Sequence, residues 1–409
     1  MTEAQAPLLV ATNWGARGAV VLAVLFIAVA LVGFFYWRVV RRANLLSPTR
    51  LAFACAVALA TAWGAPVLLS SDVYAYAAYG EIARLGANPY ASAAPYAFDA
   101  LVRAADLQWG TTVPICLYGP AFVALAEAIV RLFAPFGMLA QLQALRALAS
   151  LALLACVPLA YAAYDGNRAM RLRAAATIGL NPVAIWCAAE GHNDAIALAW
   201  VLLGFVLVRN RRPAAGAAVV ALSALIKPPG IVAAVALGLR EPRARIGASV
   251  GALIAVTLSL PLIAGVTRHF AAHGHYAPQA SLQAVFAPLS PIAAWAAAAV
   301  ACLLLSARAV TLLRACSGEA WIWLGLAAWV MIPNPYPWYA LWLLALAAIA
   351  PQTRAGRVAT LLSFCALLRY APDAIGTPSA PVAAALGILA SLPLLALVAW
   401  RPWYNKRPA

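Results

Sequence analysis

Stretches of uninterrupted apolar residues alternate with short arginine clusters along nearly the whole chain, and that alternation leaves few folds open. Gly18 to Trp37 carries no charged residue and is closed by Arg38, Arg41 and Arg42; Leu51 to Leu69 follows, again without a charge. A run of about twenty apolar residues crosses a bilayer core as one α-helix. Lipid offers backbone groups no partner, so only helices and closed barrels survive there. Repeated over 409 residues, such runs predict an all-α polytopic membrane protein. Composition agrees, since 66% of the residues are hydrophobic and only 10% are charged. No soluble chain of this length has enough interior to hide so much apolar surface.

The net charge of +16 comes from 28 Lys and Arg against 12 Asp and Glu. On a soluble chain it would point to nucleic acid, but no basic, aromatic surface of useful length exists here. The arginines sit between apolar runs, which is the positive-inside pattern, and they suit the anionic headgroups of membrane lipids. Nucleic acid is therefore excluded as a partner. Seven cysteines lie mostly inside apolar runs with no C-x-x-C pair, so they read as small buried hydrophobes. The start of the chain lacks a basic, cleavable secretory signal, so the first helix is expected to remain in the mature protein.

Taken in order, the first two spans fill 18–69 and an extracytoplasmic catalytic loop fills 70–114, because the arginines after Trp37 place that end inside. Core spans with active-site loops occupy 115–345, and C-terminal spans with a basic tail occupy 346–409, all in one integral membrane domain. The total is roughly eleven to thirteen spans. Ile115 to Phe133 and Met138 to Tyr164 create a parity conflict. Two full spans starting outside would return the chain outside, yet Arg168, Arg171 and Arg173 follow. Either one run does not span, or the basic loop is an exception. Ala214 to Leu239 is basic at both ends and holds Lys227-Pro228-Pro229-Gly230 near its middle. Two prolines break a helix, so this run reads as a hairpin of two short helices.

Ser70 to Tyr90 reads SSDVYAYAAYGEIARLGANPY, and Asp72 is the first carboxylate after Glu3. An acid where a membrane helix meets water is costly unless it is solvated or employed. Ser70, Ser71 and Asp72 are suitable N-caps for a helix ending near Gly86, before Asn88-Pro89. On that helix Asp72, Tyr76, Tyr79 and Ala83 share one face, and Tyr74, Glu81 and Leu85 another. The expected element is an interfacial helix presenting an acid and aromatic rings. The plain alternative for Asp72 is N-capping.

Asp72-x-Tyr74-x-Tyr76, followed by Gly80, Glu81, Gly86 and Asn88-Pro89-Tyr90, resembles the first extracytoplasmic loop of GT-C glycosyltransferases. The likeness is closest to the branch using polyprenyl-phosphate mannose, which includes bacterial lipoglycan mannosyltransferases and GPI mannosyltransferase I. Tyr118-Gly119-Pro120 is similar to the Tyr-x-Pro that opens the next helix in that family. Asn181-Pro182, followed by Gly191, His192, Asn193 and Asp194, is similar to its Asn-Pro helix and Gly-x-x-Asp element. The resemblance implies a GT-C fold, a polyprenyl-phosphate sugar donor, a lipid or glycan acceptor, no cofactor, and Asp72 as the catalytic base. The chain departs from the family at Ala75, Ala77 and Ala78, where bulkier or charged residues are common, and this leaves the sugar open. The C-terminal spans contribute hydropathy alone.

Transfer from a lipid phosphate needs a base for the acceptor hydroxyl, cations for the departing phosphate and an apolar groove for the isoprenoid. Asp72 with Tyr76, Glu81 and Tyr118 supplies the first set of candidates. Glu190, His192, Asn193 and Asp194 form a second cluster, on the same side by the arginine pattern. Carboxylate and imidazole can hold a divalent ion, but the loose spacing suits sugar-hydroxyl recognition, or helix capping by Asn193 and Asp194, better. No metal is expected. Lys227, one of two lysines, is either a phosphate ligand or a snorkelling cation. His269, His273 and His275 lie in a loop that either faces phosphate or is ordinary interfacial chain. Tyr336, Trp338 and Tyr339 are either a sugar platform or an aromatic belt.

The expected activity is an inverting transfer of a hexose, mannose foremost. The site would face the periplasm or exterior of a bacterial inner membrane, low lysine and high alanine content being what a GC-rich bacterial genome encodes. A transporter or flippase of lipid-linked sugars is one alternative, although no internal repeat supports it. An oligosaccharide ligase or polymerase is another, and it would place its arginines and histidine in a large late loop, whereas the acid-bearing loop here comes early.

Overall fold

The computed structural model describes residues 18–67, 70–91, 115–273, 277–315, 317–372 and 379–399. The described residues contain eighteen α-helices, short 3₁₀ turns and no strand, so the all-α expectation holds. They gather into two compact units, one before residue 276 and one after it.

The first unit holds α1 (Gly18–Arg41), α2 (Pro48–Trp63), α3 (Asp72–Arg84), α4 (Pro120–Phe133), α5 (Met138–Ala163) and α6 (Arg168–Gly179). It continues with α7 (Pro182–Ala189), α8 (Asp194–Arg209), α9 (Pro213–Leu222), α10 (Gly230–Arg240), α11 (Pro242–Leu258) and α12 (Leu260–His273). Helices α2, α3, α4, α6, α7 and α8 all pack on α5. Its 26 residues make a rod about 39 Å long, the central post of the unit. α1 covers the first apolar run and exposes Val20, Val24, Ile27, Leu31 and Phe35, a face suited to lipid.

Among the described residues, Met138–Ala163, Pro291–Arg314 and Ala380–Leu397 are long and apolar enough to cross a membrane alone. Two bent pairs, α6 with α7 at 47° and α11 with α12 at 60°, raise the count to five, and five further apolar helices are 10–17 residues long. Many of the apolar runs are thus divided, with Pro48, Pro120, Pro182, Pro213 and Pro242 each opening a new helix. Proline suits a first helical position and no interior one. α4 bears on the parity conflict: its 14 residues extend about 21 Å, short of a core of about 30 Å. The helical part of Ile115 to Phe133 is therefore too short to cross such a core by itself. The expected break at Lys227-Pro228-Pro229 is present, between a 3₁₀ turn at Ser223–Leu225 and α10, and α9 packs against α10.

α3 corrects one expectation. Every residue from Asp72 to Gly80 is buried, on both faces, so α3 does not present its acid and rings at the surface but is an enclosed helix with only its last turn exposed. Small side chains allow this. Ala75, Ala77 and Ala78 are at most 2% exposed, and a Cβ on Gly80 would stand 2.6 Å from the Ala126 carbonyl oxygen of α4.

The second unit holds α13 (Leu282–Phe286), α14 (Pro291–Arg314), α15 (Ala320–Trp329), α16 (Ala340–Ala347), α17 (Arg354–Cys365) and α18 (Ala380–Ala399). Ile322, Leu326, Leu343, Leu362, Ala355 and Ala359 form the centre of its core.

Candidate active site

Asp72 is the first residue of α3, and its backbone N–H donates to Ser70 Oγ at 3.1 Å. Its carboxylate is turned to other partners. Tyr118 Oη donates to Asp72 Oδ2 at 3.1 Å and Tyr76 Oη at 3.4 Å, and His192 Nδ1 lies 3.5 Å from the same oxygen. N-capping is therefore not its role. Burial pushes the Asp72 carboxyl up to about 6, against the opposing pull of the Lys227 charge and of the Tyr118 hydrogen bond. Burial, with help from Lys227, holds the His192 imidazole well below its ordinary range, so the ring is neutral.

Tyr118 is positioned by the residue after it. The Gly119 N–H donates to the Ile226 carbonyl at 3.0 Å, and a Cβ on Gly119 would collide with the Leu225 carbonyl. Only glycine permits that approach, which brings Tyr118 against the chain that carries Lys227. Lys227 Nζ sits 5.6 Å from the Tyr118 ring centroid, a cation–π distance. The same ammonium lies 2.5 Å from Asp194 Oδ2, and both side chains are buried.

Helix ends place the second cluster. Asn181 Oδ1 accepts from the N–H groups of Val183 and Ala184 at 2.9 and 3.1 Å, and Pro182 occupies the first turn, so α7 starts cleanly. Gly191, at φ +97°, ends it: the Gly191 N–H reaches the Ala188 carbonyl and the His192 N–H the Cys187 carbonyl, both at 3.0 Å. That is a Schellman closure, for which a left-handed glycine is the natural residue. It delivers His192, Asn193 and Asp194 to Asp72 and Lys227. Asn193 precedes α8 but its side chain forms no capping bond, so the capping expectation fails for it.

Glu190 belongs to a neighbouring cluster. Trp186 Nε1 donates to Glu190 Oε1 at 2.6 Å, and the charges of Arg146 and Glu190 both act on Tyr74, on the other face of α3 from Tyr76. Arg146 itself is 4% exposed in the apolar helix α5. It donates to the Ala65 carbonyl at 2.9 Å, the Ala189 carbonyl at 2.7 Å and Gln143 Oε1 at 3.3 Å. Arg146 thus ties the chain after α2, at Ala65, to the end of α7, three residues before His192. The sequence reading passed over it, although a lone charge within an apolar run is itself a signal of function.

Of the other candidates, Glu81 does not join the group. Glu81 pairs with Arg84 in the last turn of α3, nine residues from Asp72 and so about 13 Å along the helix axis. His273 is the last residue of α12, and His275 lies outside the described residues. Tyr336 and Trp338 stack in the second unit, centroids 4.4 Å apart, with the Arg369 guanidinium 4.4 Å over the Tyr336 ring and donating to its hydroxyl at 2.6 Å. Among the described residues no His, Cys, Asp and Glu group has the makings of a metal centre.

A helical membrane scaffold that buries an ionisable carboxylate beneath hydroxyl and imidazole neighbours has the makings of a membrane glycosyltransferase. The sequence model described as alpha-(1->6)-mannopyranosyltransferase, N-terminal domain, matches residues 2–241, more than half of the chain. The chain therefore belongs to that family of GT-C mannosyltransferases. No curated protein and no solved structure shows significant similarity to it.

Proposed function

We propose that the protein transfers mannose, with inversion, from a polyprenyl-phosphate donor to a hydroxyl of a lipid or glycan acceptor at the outer face of a bacterial inner membrane. The family description makes an α-(1→6) linkage the first to test. The observation that carries the reading is the buried Asp72, hydrogen-bonded by Tyr118 and Tyr76 beside a neutral His192 and titrating at about 6. A base whose pKa lies near the working pH both accepts a proton readily and is largely ionised beforehand.

In this mechanism an Asp72 oxygen takes the proton of the acceptor hydroxyl while that oxygen attacks the anomeric carbon. The bond from the anomeric carbon to the phosphate oxygen breaks, and its electron pair leaves with polyprenyl phosphate. Lys227 is assigned to that departing phosphate, exchanging its contact with Asp194 for one with the anion. His192, Asn193 and Tyr118 are assigned to the sugar side of the cluster. Glu190 is assigned to holding Trp186 in place, and Tyr336 with Trp338 to an aromatic surface of the second unit.

The test is transfer of radiolabel from polyprenyl-phosphate mannose to a total lipid extract, with wild type and Asp72→Asn side by side. Labelled lipid from wild type and about 10²- to 10⁴-fold less from the variant supports the reading. Equal transfer by both removes Asp72 from the role of base, and movement of donor across vesicles without transfer favours a flippase instead.

A further inference from the structure

Asn193 is fully buried, and neither its Nδ2 nor its Oδ1 has a hydrogen-bond partner among the described residues. Leaving a buried polar atom unpaired is expensive, about 1–3 kcal/mol each. Asparagine before a helix ordinarily spends its oxygen on a capping bond, yet this one does not. Its backbone reaches the Tyr76 hydroxyl, which in turn donates to Asp72, and its sequence neighbours are His192 beside Asp72 and Asp194 on Lys227. An unemployed amide therefore stands between the residue beside Asp72 and the residue on Lys227.

The chemistry of the amide narrows its ligand. A phosphate accepts hydrogen bonds and donates none when ionised, so it would satisfy Nδ2 and leave Oδ1 facing like charge. Asp72 nearby would repel it further, whereas the charge of Asp194 is offset by Lys227. A sugar hydroxyl both donates and accepts, and two adjacent hydroxyls of a pyranose present the pair that an amide complements. We propose that Asn193 is the residue that reads the hydroxyls of the transferred sugar, dividing the site into a neutral sugar pole at Asn193 and a phosphate pole at Lys227. This inference rests on the transferase reading above and adds to it the residue that selects the sugar. The enclosure of the side chain means that a sugar reaches it only after neighbouring side chains shift.

The experiment compares donors carrying mannose or each of its 2-, 3-, 4- and 6-deoxy forms on the same short polyprenyl phosphate, with wild type, Asn193→Ala and Asn193→Asp. Aspartate keeps the volume and the acceptor but loses the donor and adds a charge beside Asp72 and Asp194, so thermal unfolding of each variant is measured alongside to separate loss of fold from loss of discrimination. In wild type, removing the hydroxyl that Asn193 reads is expected to lower kcat/KM by about tenfold or more. The alanine variant should show that loss with mannose itself and no further loss with that one deoxy donor. If the variants discriminate among the donors as wild type does, the amide holds a resident water only and the inference falls. No transfer by wild type from any donor would overturn the transferase reading itself, and this inference with it.

Discussion

Lys227 Nζ meets Asp194 Oδ2 at 2.5 Å across thirty-three residues of chain, in surroundings that leave neither side chain more than 8% exposed. A buried ion pair holds its geometry tightly, since removing one member strands the other charge away from water. Lys227→Met alone and Asp194→Asn alone should each destabilise the protein by about 3–5 kcal/mol. The double variant should lose less than the sum, as thermal unfolding in detergent would report.

The same two variants should move the pH dependence of transfer in opposite directions. Asp72 must be ionised to act as base, so wild-type activity should rise with pH through about 6. Lys227 favours the ionised form of Asp72 and Asp194 opposes it. The limb should shift to higher pH in Lys227→Met and to lower pH in Asp194→Asn, in a profile of kcat/KM. A limb unmoved in both would show that the pair does not act on the base.

Gly119→Ala should disturb both stability and transfer. The added Cβ meets the Leu225 carbonyl with no flexible side chain to yield, and overpacking of this kind costs about 1–3 kcal/mol. Gly86→Ala is the control: φ is +75° there, but the position is open. It should cost only about 1 kcal/mol of backbone strain and leave transfer intact.

Arg146→Met leaves the Ala65 and Ala189 carbonyls without their donor, at about 1–3 kcal/mol for each group. Arg146→Lys keeps the charge but cannot reach both carbonyls at once. Arg146 holds the Ala65 and Ala189 carbonyls, seven residues before Asp72 and three before His192, and a positioning role predicts that kcat falls in the lysine variant while the KM for donor stays near the wild-type value. A change in KM alone would assign Arg146 to substrate contact instead.

Much of the site was legible because its parts are local signals. Asn181-Pro182 and Gly191 announce the two ends of α7, Lys227-Pro228-Pro229 announces a break, and an acid after an apolar run singles out Asp72. Sequence could not tell that Lys227 would face Asp194, or that Gly119 would abut Leu225, since both relations arise only from packing distant segments. Glu81 was misleading because helical periodicity assigns faces but not depth, and it lies in the one exposed turn of α3. Arg146 was overlooked because hydropathy averages a single charge away, although its position between two helix ends makes it central. The enclosure of α3 was hidden in Ala75, Ala77 and Ala78, which stood out only as a departure from the family that left the sugar open, and which let the helix sit inside.

That enclosure limits how this protein can diverge. From Asp72 to Gly80 the helix has no outward side, so there is no position on it where a larger residue could be tried without a matching loss in a neighbour. Change there must come in compensating pairs, and at position 80 even that is closed, because an added Cβ meets the backbone of Ala126, which no smaller side chain would relieve. Lineages descended from such a sequence would retain this short helix long after the surrounding spans had drifted beyond recognition.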